Sequence, residues 1–250
     1  MKIDNFEDFR QLDIESIKGL CNVIGLRYEY LKGNDSEAKK MTLHNIIQDS
    51  YREEAVSFLN NTTVGISYSS VNKNIMLSIC ESLEKYNYRI YTDLTNISDT
   101  KGIITEFERK LAQQDVFLVL VSTDYLKSEH CMYELYYNYI YNRQNIDNIV
   151  RQTIPLWIKG TDLGDDAIIE LHKFWKELKK KLNKQFNTLH DVNKLFLGER
   201  IGRVDNIYFH FTEIVNRLKD ISMVMVDPNN LQECIPELRQ RIGNITLQWE

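Results

Sequence analysis

The spacing of the hydrophobic residues changes near residue 62, and the change divides the chain into two predicted regions. Before it, apolar side chains recur every three or four residues, as on one face of an amphipathic helix. The clearest series is Ile14, Ile17, Leu20, Cys21 and Ile24. Gly25 follows as a predicted helix end, and further helices are predicted through 41–47 and 55–59. We therefore expect residues 1–60 to form a small all-α domain that ends at the polar stretch 60–63.

From Val64 onward, short β-branched runs alternate with helical stripes. Strands are predicted at 64–68, 88–92, 116–121, 154–158 and 223–226. Helices are predicted at 75–83 and 103–111, after the short loop that follows Val121, and at 166–190 and 205–219. This alternating order predicts an α/β fold for residues 61–250, with a parallel sheet flanked by helices.

Two of these strands carry information about their place in the sheet. The run 116–121 is apolar throughout, which is typical of a strand buried on both faces in the middle of a parallel sheet. Pro155 lacks a backbone N–H, so it predicts that the strand 154–158 lies at a sheet edge or that the proline lies at a strand start.

Composition narrows the functional classes. The chain of 250 residues is 43% hydrophobic and 27% charged, which is ordinary for a globular protein. A net charge of −5 argues against a general binder of phosphate backbones. No apolar run approaches the roughly 18 residues that span a bilayer, and the acidic N-terminus does not read as a signal peptide, so a cytoplasmic location is expected. The four widely spaced cysteines are expected to be reduced, and the histidines show no metal-ligand spacing.

The segment 116–135 contains the strongest candidate for chemistry. Its strand ends at Ser122, a short loop carries Tyr125 and Ser128, and a helix follows with Glu134 in its first turns. Open α/β sheets place their functional groups just beyond the carboxyl ends of strands, as Glu134 is placed here. The simpler interpretation is that Glu134 favours the helix dipole and that Ser128 is an N-cap. The chain has no Gly-x-Gly-x-x-Gly after its first strand, which argues against a tightly bound redox dinucleotide.

Residues 62–225 resemble a TIR domain in several motifs that occur in the family's order. The first is Ile66-Ser67-Tyr68-Ser69, the second is Tyr91-Thr92-Asp93, and the third and most diagnostic is Ser122-x-x-Tyr125-Leu126-x-Ser128-x-x-Cys131-x-x-Glu134-Leu135. Ile154-Pro155-Leu156 resembles the fourth strand, and 93–102 occupies the place of the family's BB loop. The resemblance implies a flavodoxin-like parallel sheet. The chain departs from the pattern at His130, where the family often has Trp, and at Gly65, where it usually has Phe.

The resemblance implies an activity, because many TIR domains cleave NAD⁺ at the nicotinamide–ribose bond. Glu134 is then the catalytic residue, and NAD⁺ is a consumed substrate, with no resident cofactor. One carboxylate suffices for this reaction, since nicotinamide is cationic in NAD⁺ and leaves as a neutral molecule without the general acid that ordinary glycosides need. The substrate contacts carried over by position are Tyr68, Ser69, Asp93, Gly102, Ser122 and His130. In the family, activity follows self-assembly, when one protomer's BB loop completes its neighbour's pocket.

Other functions compete with this one. The main alternative is a non-catalytic TIR scaffold that acts by homotypic contacts, which the replacement of Trp by His130 favours. A phospho-receiver needs clustered acids after the first strand, where this chain has Ser-Tyr-Ser-Ser at 67–70. A nucleoside deoxyribosyltransferase also uses a Glu on this type of fold, but the Ser122–Leu135 motif suits a TIR domain better. Residues 1–60 resemble the small effector-associated domains of bacterial effectors, through Leu20-Cys21-x-x-Ile24-Gly25-Leu26, which implies an adaptor for another protein in bacterial immune signalling.

Overall fold

The fold was analysed in a computed structural model. It describes residues 6–24, 26–33, 35–51, 55, 62–86, 88–93, 107–108, 110–141, 152–188 and 191–247.

A five-stranded, entirely parallel sheet forms the centre of the structure. Its strands are β1 (Thr63–Ser67), β2 (Arg89–Tyr91), β3 (Val116–Val121), β4 (Thr153–Ile158) and β5 (Val224–Val226). They lie in the order β2-β1-β3-β4-β5, which is the flavodoxin-like order. Every residue of β3 is buried, and the strand lies between β1 and β4. The predicted fold class and the central position of β3 are both confirmed.

Nine α-helices surround the sheet or precede it among the described residues. They are α1 (Phe6–Arg10), α2 (Ile14–Val23), α3 (Ser36–Ile46), α4 (Lys73–Glu84), α5 (Thr123–Lys127), α6 (Glu129–Tyr141), α7 (Asp165–Thr188), α8 (Asp191–Asp220) and α9 (Ile235–Leu247). Residues 107, 108, 110 and 111 are also helical and lead into β3. None of the described helices is long and apolar enough to cross a membrane.

Alternating residues of β3 point into two separate hydrophobic cores, because successive side chains of a strand face opposite ways. Val116, Leu118 and Leu120 pack into the core that contains α4 and α9. Phe117, Val119 and Val121 pack into the core that contains α5, α6, α7 and α8. Helices therefore cover the sheet on both faces, as the β-α order predicts.

Three sequence expectations need correction. The loop predicted between β3 and the helix that carries Glu134 is largely helical, because Ser122 caps α5 through the Tyr125 N–H (3.0 Å). Ser128, the predicted N-cap of α6, accepts the Cys131 N–H (3.4 Å). The helix predicted at 205–219 begins at Asp191, and α9 was not predicted. The edge position for the strand with Pro155 is wrong, since β4 lies between β3 and β5. Its pairing with β5 begins only at Leu156, so at Pro155 itself β4 is paired on one side.

The N-terminal helices have a hydrophobic cluster of their own. Phe9, Leu20 and Leu43 are fully buried within it, and the partly buried Tyr86 contacts both this cluster and the core around α4. Gly25 and nearly all of the predicted third helix at 55–59 lie outside the described residues. The domain boundary near residue 60 stays a prediction.

Candidate functional site

The site lies where the chain connections leave the sheet in opposite directions. β1 and β3 are neighbours, but β1 continues into α4 on one face while β3 continues into α5 and α6 on the other. Such a switch point opens a crevice at the carboxyl ends of the two strands, where open α/β sheets bind their ligands. The crevice is lined by the end of β1 and by α6, which brings Glu134 to Ser67.

Glu134 is held by a chain of hydroxyl groups. Ser67 donates to Glu134 Oε2 at 2.6 Å, and the Tyr125 hydroxyl lies 2.8 Å from Ser67 Oγ. The Tyr125 hydroxyl also lies 3.1 Å from the Cys131 carbonyl oxygen. Since each hydroxyl has one proton, Tyr125 donates to Ser67 when Ser67 donates to an ionised Glu134. A protonated Glu134 can instead donate to Ser67, which donates to Tyr125, which donates to the carbonyl. The same atoms therefore accommodate both protonation states.

Burial favours the neutral form of Glu134. Loss of water around the carboxyl raises its pKa to about 8, while the hydrogen bond from Ser67 opposes the rise, and the negative charges of Glu108 and Asp93 add to it. With no cation beside it, Glu134 is thus largely a neutral acid at pH 7. A cation bound beside it would favour the carboxylate.

Tyr68 connects the end of β1 to the predicted BB loop. Its hydroxyl donates to Asp93 Oδ1 at 2.6 Å, and its backbone carbonyl accepts from Cys131 Sγ at 3.2 Å. Burial, followed by the hydrogen bond and charge of Asp93, raises the pKa of Tyr68, so the hydroxyl remains a proton donor at neutral pH. Two of the predicted substrate contacts are thereby joined to each other. Gly102 lies outside the described residues.

Ser122 and Ser69 follow the carboxyl ends of β3 and β1. Ser122 Oγ donates to Asn72 Oδ1 at 2.8 Å while it accepts the N–H of Tyr125, so its donor is already used within the protein. Ser69 is buried, and its carbonyl accepts the Asn72 N–H at 2.7 Å. This geometry gives both serines a role in joining β1, β3 and α4. Their contact with a substrate stays a prediction.

His130 is exposed in the first turn of α6, one turn before Glu134. It lines a surface pocket of about 410 Å³ together with Lys127, Phe174, Arg200 and Arg203, among others, and Glu134 is not part of that pocket's lining. Glu129, beside His130, forms a two-point ion pair with Arg200 of α8. The structure thus places His130 on the same helix as Glu134 but shows no hydrogen bond that joins them.

Sequence reasoning missed two residues of the site as chemical candidates. In the sequence, Ser67 is recognised only as part of a motif, although a hydroxyl group at the carboxyl end of a buried strand is a usable signal of a functional residue. Glu108 is 2% exposed, and neither carboxylate oxygen has a hydrogen-bond partner among the described residues. Its signal was also in the sequence, since Glu108 shares a helical stripe with Ile104 and Leu111 where an apolar residue is expected.

Glu108 is the second carboxyl group at this site with a displaced pKa. Burial raises its pKa to about 7, and the positive charge of Arg203 opposes that rise. Among the residues that the structure describes, no group of three or more His, Cys, Asp or Glu side chains is arranged to hold a metal ion.

Comparison with models of known protein families gives one match. Residues 64–190 match the model described as the TIR domain, a segment that contains all of β1 but its first residue, β2 to β4, Ser67, Glu108 and Glu134. A search of curated proteins found no match to the chain.

Proposed function

The chain belongs to the TIR-domain family, and we propose that it cleaves NAD⁺ at the nicotinamide–ribose bond with Glu134 as its catalytic residue. TIR domains include NAD-cleaving enzymes as well as scaffolds that associate with one another. One observation supports the enzyme most strongly: Glu134 is a half-buried carboxyl group at the switch point of the sheet, held at 2.6 Å by Ser67. A glutamate that served only the helix dipole would need neither the burial nor the hydroxyl chain.

The chemistry uses the charge that NAD⁺ brings. The nicotinamide ring is cationic, so its entry lowers the pKa of Glu134 and the carboxyl group releases its proton to solvent. When the bond between ribose C1′ and the nicotinamide nitrogen breaks, its electron pair stays on nitrogen and positive charge develops on the ribose. The ionised Glu134, held by Ser67, stabilises that charge. Water then adds to C1′ and releases a proton, or a nucleophile within the ADP-ribose adds there to give a cyclic product.

Self-assembly completes the active site in this proposal. Asp93, which the Tyr68 hydroxyl holds, is the last described residue before the segment in the place of the BB loop. In the family this loop contributes to the neighbour's pocket. Activity is therefore expected to depend on protein concentration, with residues 1–60 recruiting a partner protein in bacterial immune signalling and the reaction taking place in the cytoplasm.

The test compares Glu134 with a carboxylate on the same helix. The purified chain is incubated with NAD⁺ at high protein concentration, with and without a crowding agent, and nicotinamide release is followed by chromatography. Glu134→Gln is expected to lower the rate at least about 100-fold, because removal of one group that stabilises transition-state charge typically costs that much.

Glu129→Gln is the matched control, because it removes a surface ion pair with Arg200 near the start of α6. It is expected to keep nearly the full rate. Nicotinamide release that survives in Glu134→Gln would refute the assigned role. A wild-type chain that releases no nicotinamide in any assembled state would favour the scaffold.

A further inference from the structure

Glu108 has a position that the proposed reaction does not explain. It lies in the helical residues that precede β3, on the side of the sheet that carries α6 and α8. Its neighbour Phe107 stacks on Tyr91 at a ring distance of 5.4 Å, which fixes this stretch against β2. A buried carboxyl group without a hydrogen bond costs free energy, so its presence at 2% exposure calls for a reason.

The charged and titratable groups around Glu108 come from two helices. From α8, Arg203 acts on it as a cation, and from α6 it interacts electrostatically with Tyr133 and Glu134. Arg203 also lies 6.0 Å from the centre of the Tyr133 ring. Arg203 lines the surface pocket with His130 and is partly exposed, so water screens its charge. Glu134 faces, besides Glu108, the carboxylate of Asp93 and the hydroxyls of Ser67 and Tyr125.

We propose that Glu108 is a positioning residue that acts on Glu134 through its charge, so that the two carboxyl groups resist being ionised together unless a cation binds beside them. This inference rests on the proposed function, because the ionised Glu134 is the form that stabilises the ribose cation in that reaction. Between pH 7 and pH 8 the pair carries about one negative charge. A cationic substrate compensates the second charge, and the site then becomes competent only when it is occupied. Two like charges in a site of low polarity commonly behave this way.

The direct test is a titration of Glu134 that needs no catalysis. The protein is labelled with ¹³C at the glutamate side-chain carboxyl carbon, and the Glu134 signal is identified by its absence in Glu134→Gln. The ionisation midpoint of Glu134 is then compared in the wild type, Glu108→Gln and the surface control Glu129→Gln. We expect Glu108→Gln to lower the midpoint by about half a pH unit or more, as removal of a nearby like charge does. Glu129→Gln is expected to leave it in place.

Glu108→Leu is the second variant, in case an uncharged amide is poorly tolerated in this buried position. It removes the polar group altogether, which often stabilises a buried site, and it makes the same electrostatic prediction. A midpoint in both Glu108 variants that moves no further than in Glu129→Gln overturns the proposal.

The catalytic arm separates this inference from the proposed function. At pH 7, Glu108→Gln is expected to release nicotinamide about threefold faster than the wild type, which is the effect of half a pH unit on the ionised fraction of Glu134. The two rates should converge near pH 9. A lowered midpoint in a protein that releases no nicotinamide supports the carboxyl pairing and refutes the proposed reaction. An unchanged midpoint in an active enzyme refutes the pairing alone.

Discussion

At the scale of single residues, Glu134 depends on the hydroxyl of Ser67. That hydrogen bond is the one interaction that lowers the pKa of Glu134 against burial and two neighbouring carboxylates. Ser67→Ala should therefore raise the pKa further and reduce the ionised fraction. We expect nicotinamide release at pH 7 to fall about 10-fold, since a hydrogen bond to a charged group is worth roughly 1.5–3 kcal/mol. The rate should recover in part at pH 9, because Glu134 then ionises without the serine.

Ser82→Ala provides the matched control for this prediction. Ser82 is also buried, and its hydroxyl donates to the Ser78 carbonyl within α4. Its removal is expected to change stability slightly and to leave the pH profile of nicotinamide release where it was. A Ser67→Ala profile that matches that of Ser82→Ala would show that the hydrogen bond does not govern Glu134.

The residues of the site differ in how far the sequence predicts them. Glu134 could be found because it stands at a fixed distance from a strongly apolar strand, within a family motif. Ser67 and Glu108 could not be ranked in the same way, because each becomes important through its interaction with Glu134, which lies 67 and 26 positions further along the chain. Hydrophobic periodicity shows which residues lie on the same face of a helix or strand, but it does not show which distant side chain contacts them in the folded protein.

At the scale of elements, Gly65 governs the approach of the helical residues 107–111 to β1. A Cβ at this position would lie 2.8 Å from Leu111 Cδ1 and 3.3 Å from the Leu111 carbonyl oxygen. β1 cannot shift to make room for this Cβ, because Gly65 pairs with Tyr91 of β2 on one side and with Phe117 of β3 on the other. This is the structural reason why the chain has no large residue where the family usually has Phe.

Two Gly→Ala substitutions test that explanation with opposite expected signs. Gly65→Ala should lower the free energy of unfolding by about 1–3 kcal/mol, the usual cost of overpacking. Gly202→Ala should raise it by about 0.5–1 kcal/mol, because it removes a glycine from a helix interior, and its Cβ would have no atom within 4 Å. Urea denaturation of the three proteins measures both. Equal effects of the two substitutions on the free energy of unfolding would mean that the intrinsic conformational preference of glycine, and not the contact with Leu111, decides the result.

The elements themselves were predicted best where local pattern and tertiary packing agree. β3 was predicted with its observed bounds because an apolar β-branched run has few alternatives to a buried strand. The start of α6 was predicted from its N-cap Ser128, but α5 was predicted as a loop, because a helix of five residues is too short to show an apolar period. Pro155 led to the wrong prediction of an edge strand. A missing N–H matters only where a partner strand would accept it, and the pairing of β4 with β5 begins one residue later, at Leu156.

At the scale of the whole molecule, the two acidic groups should make stability depend on pH. The folded-state pKa values of Glu108 and Glu134, about 7 and about 8, lie above the ordinary value of 4.5. Between pH 4.5 and these values the folded protein binds more protons than the unfolded chain, so the free energy of unfolding falls as the pH rises. For Glu108 alone the loss from pH 5 to pH 8 is on the order of 3 kcal/mol, from 1.36 kcal/mol for each pKa unit.

Denaturation by urea at pH 5, 6, 7 and 8 measures this loss. Glu108→Gln should flatten the dependence by removing the part that belongs to that group, while Glu170→Gln, which breaks an exposed pair with Lys173, should leave the slope unchanged. Below about pH 4 the pH dependence of the Glu108→Gln protein and that of the wild type should converge, because Glu108 is then neutral in the folded state and mostly protonated in the unfolded chain. A slope as steep in Glu108→Gln as in the wild type would place the cost at Glu134 instead, and the double variant Glu108→Gln/Glu134→Gln separates the two contributions, since the effects of interacting groups do not add.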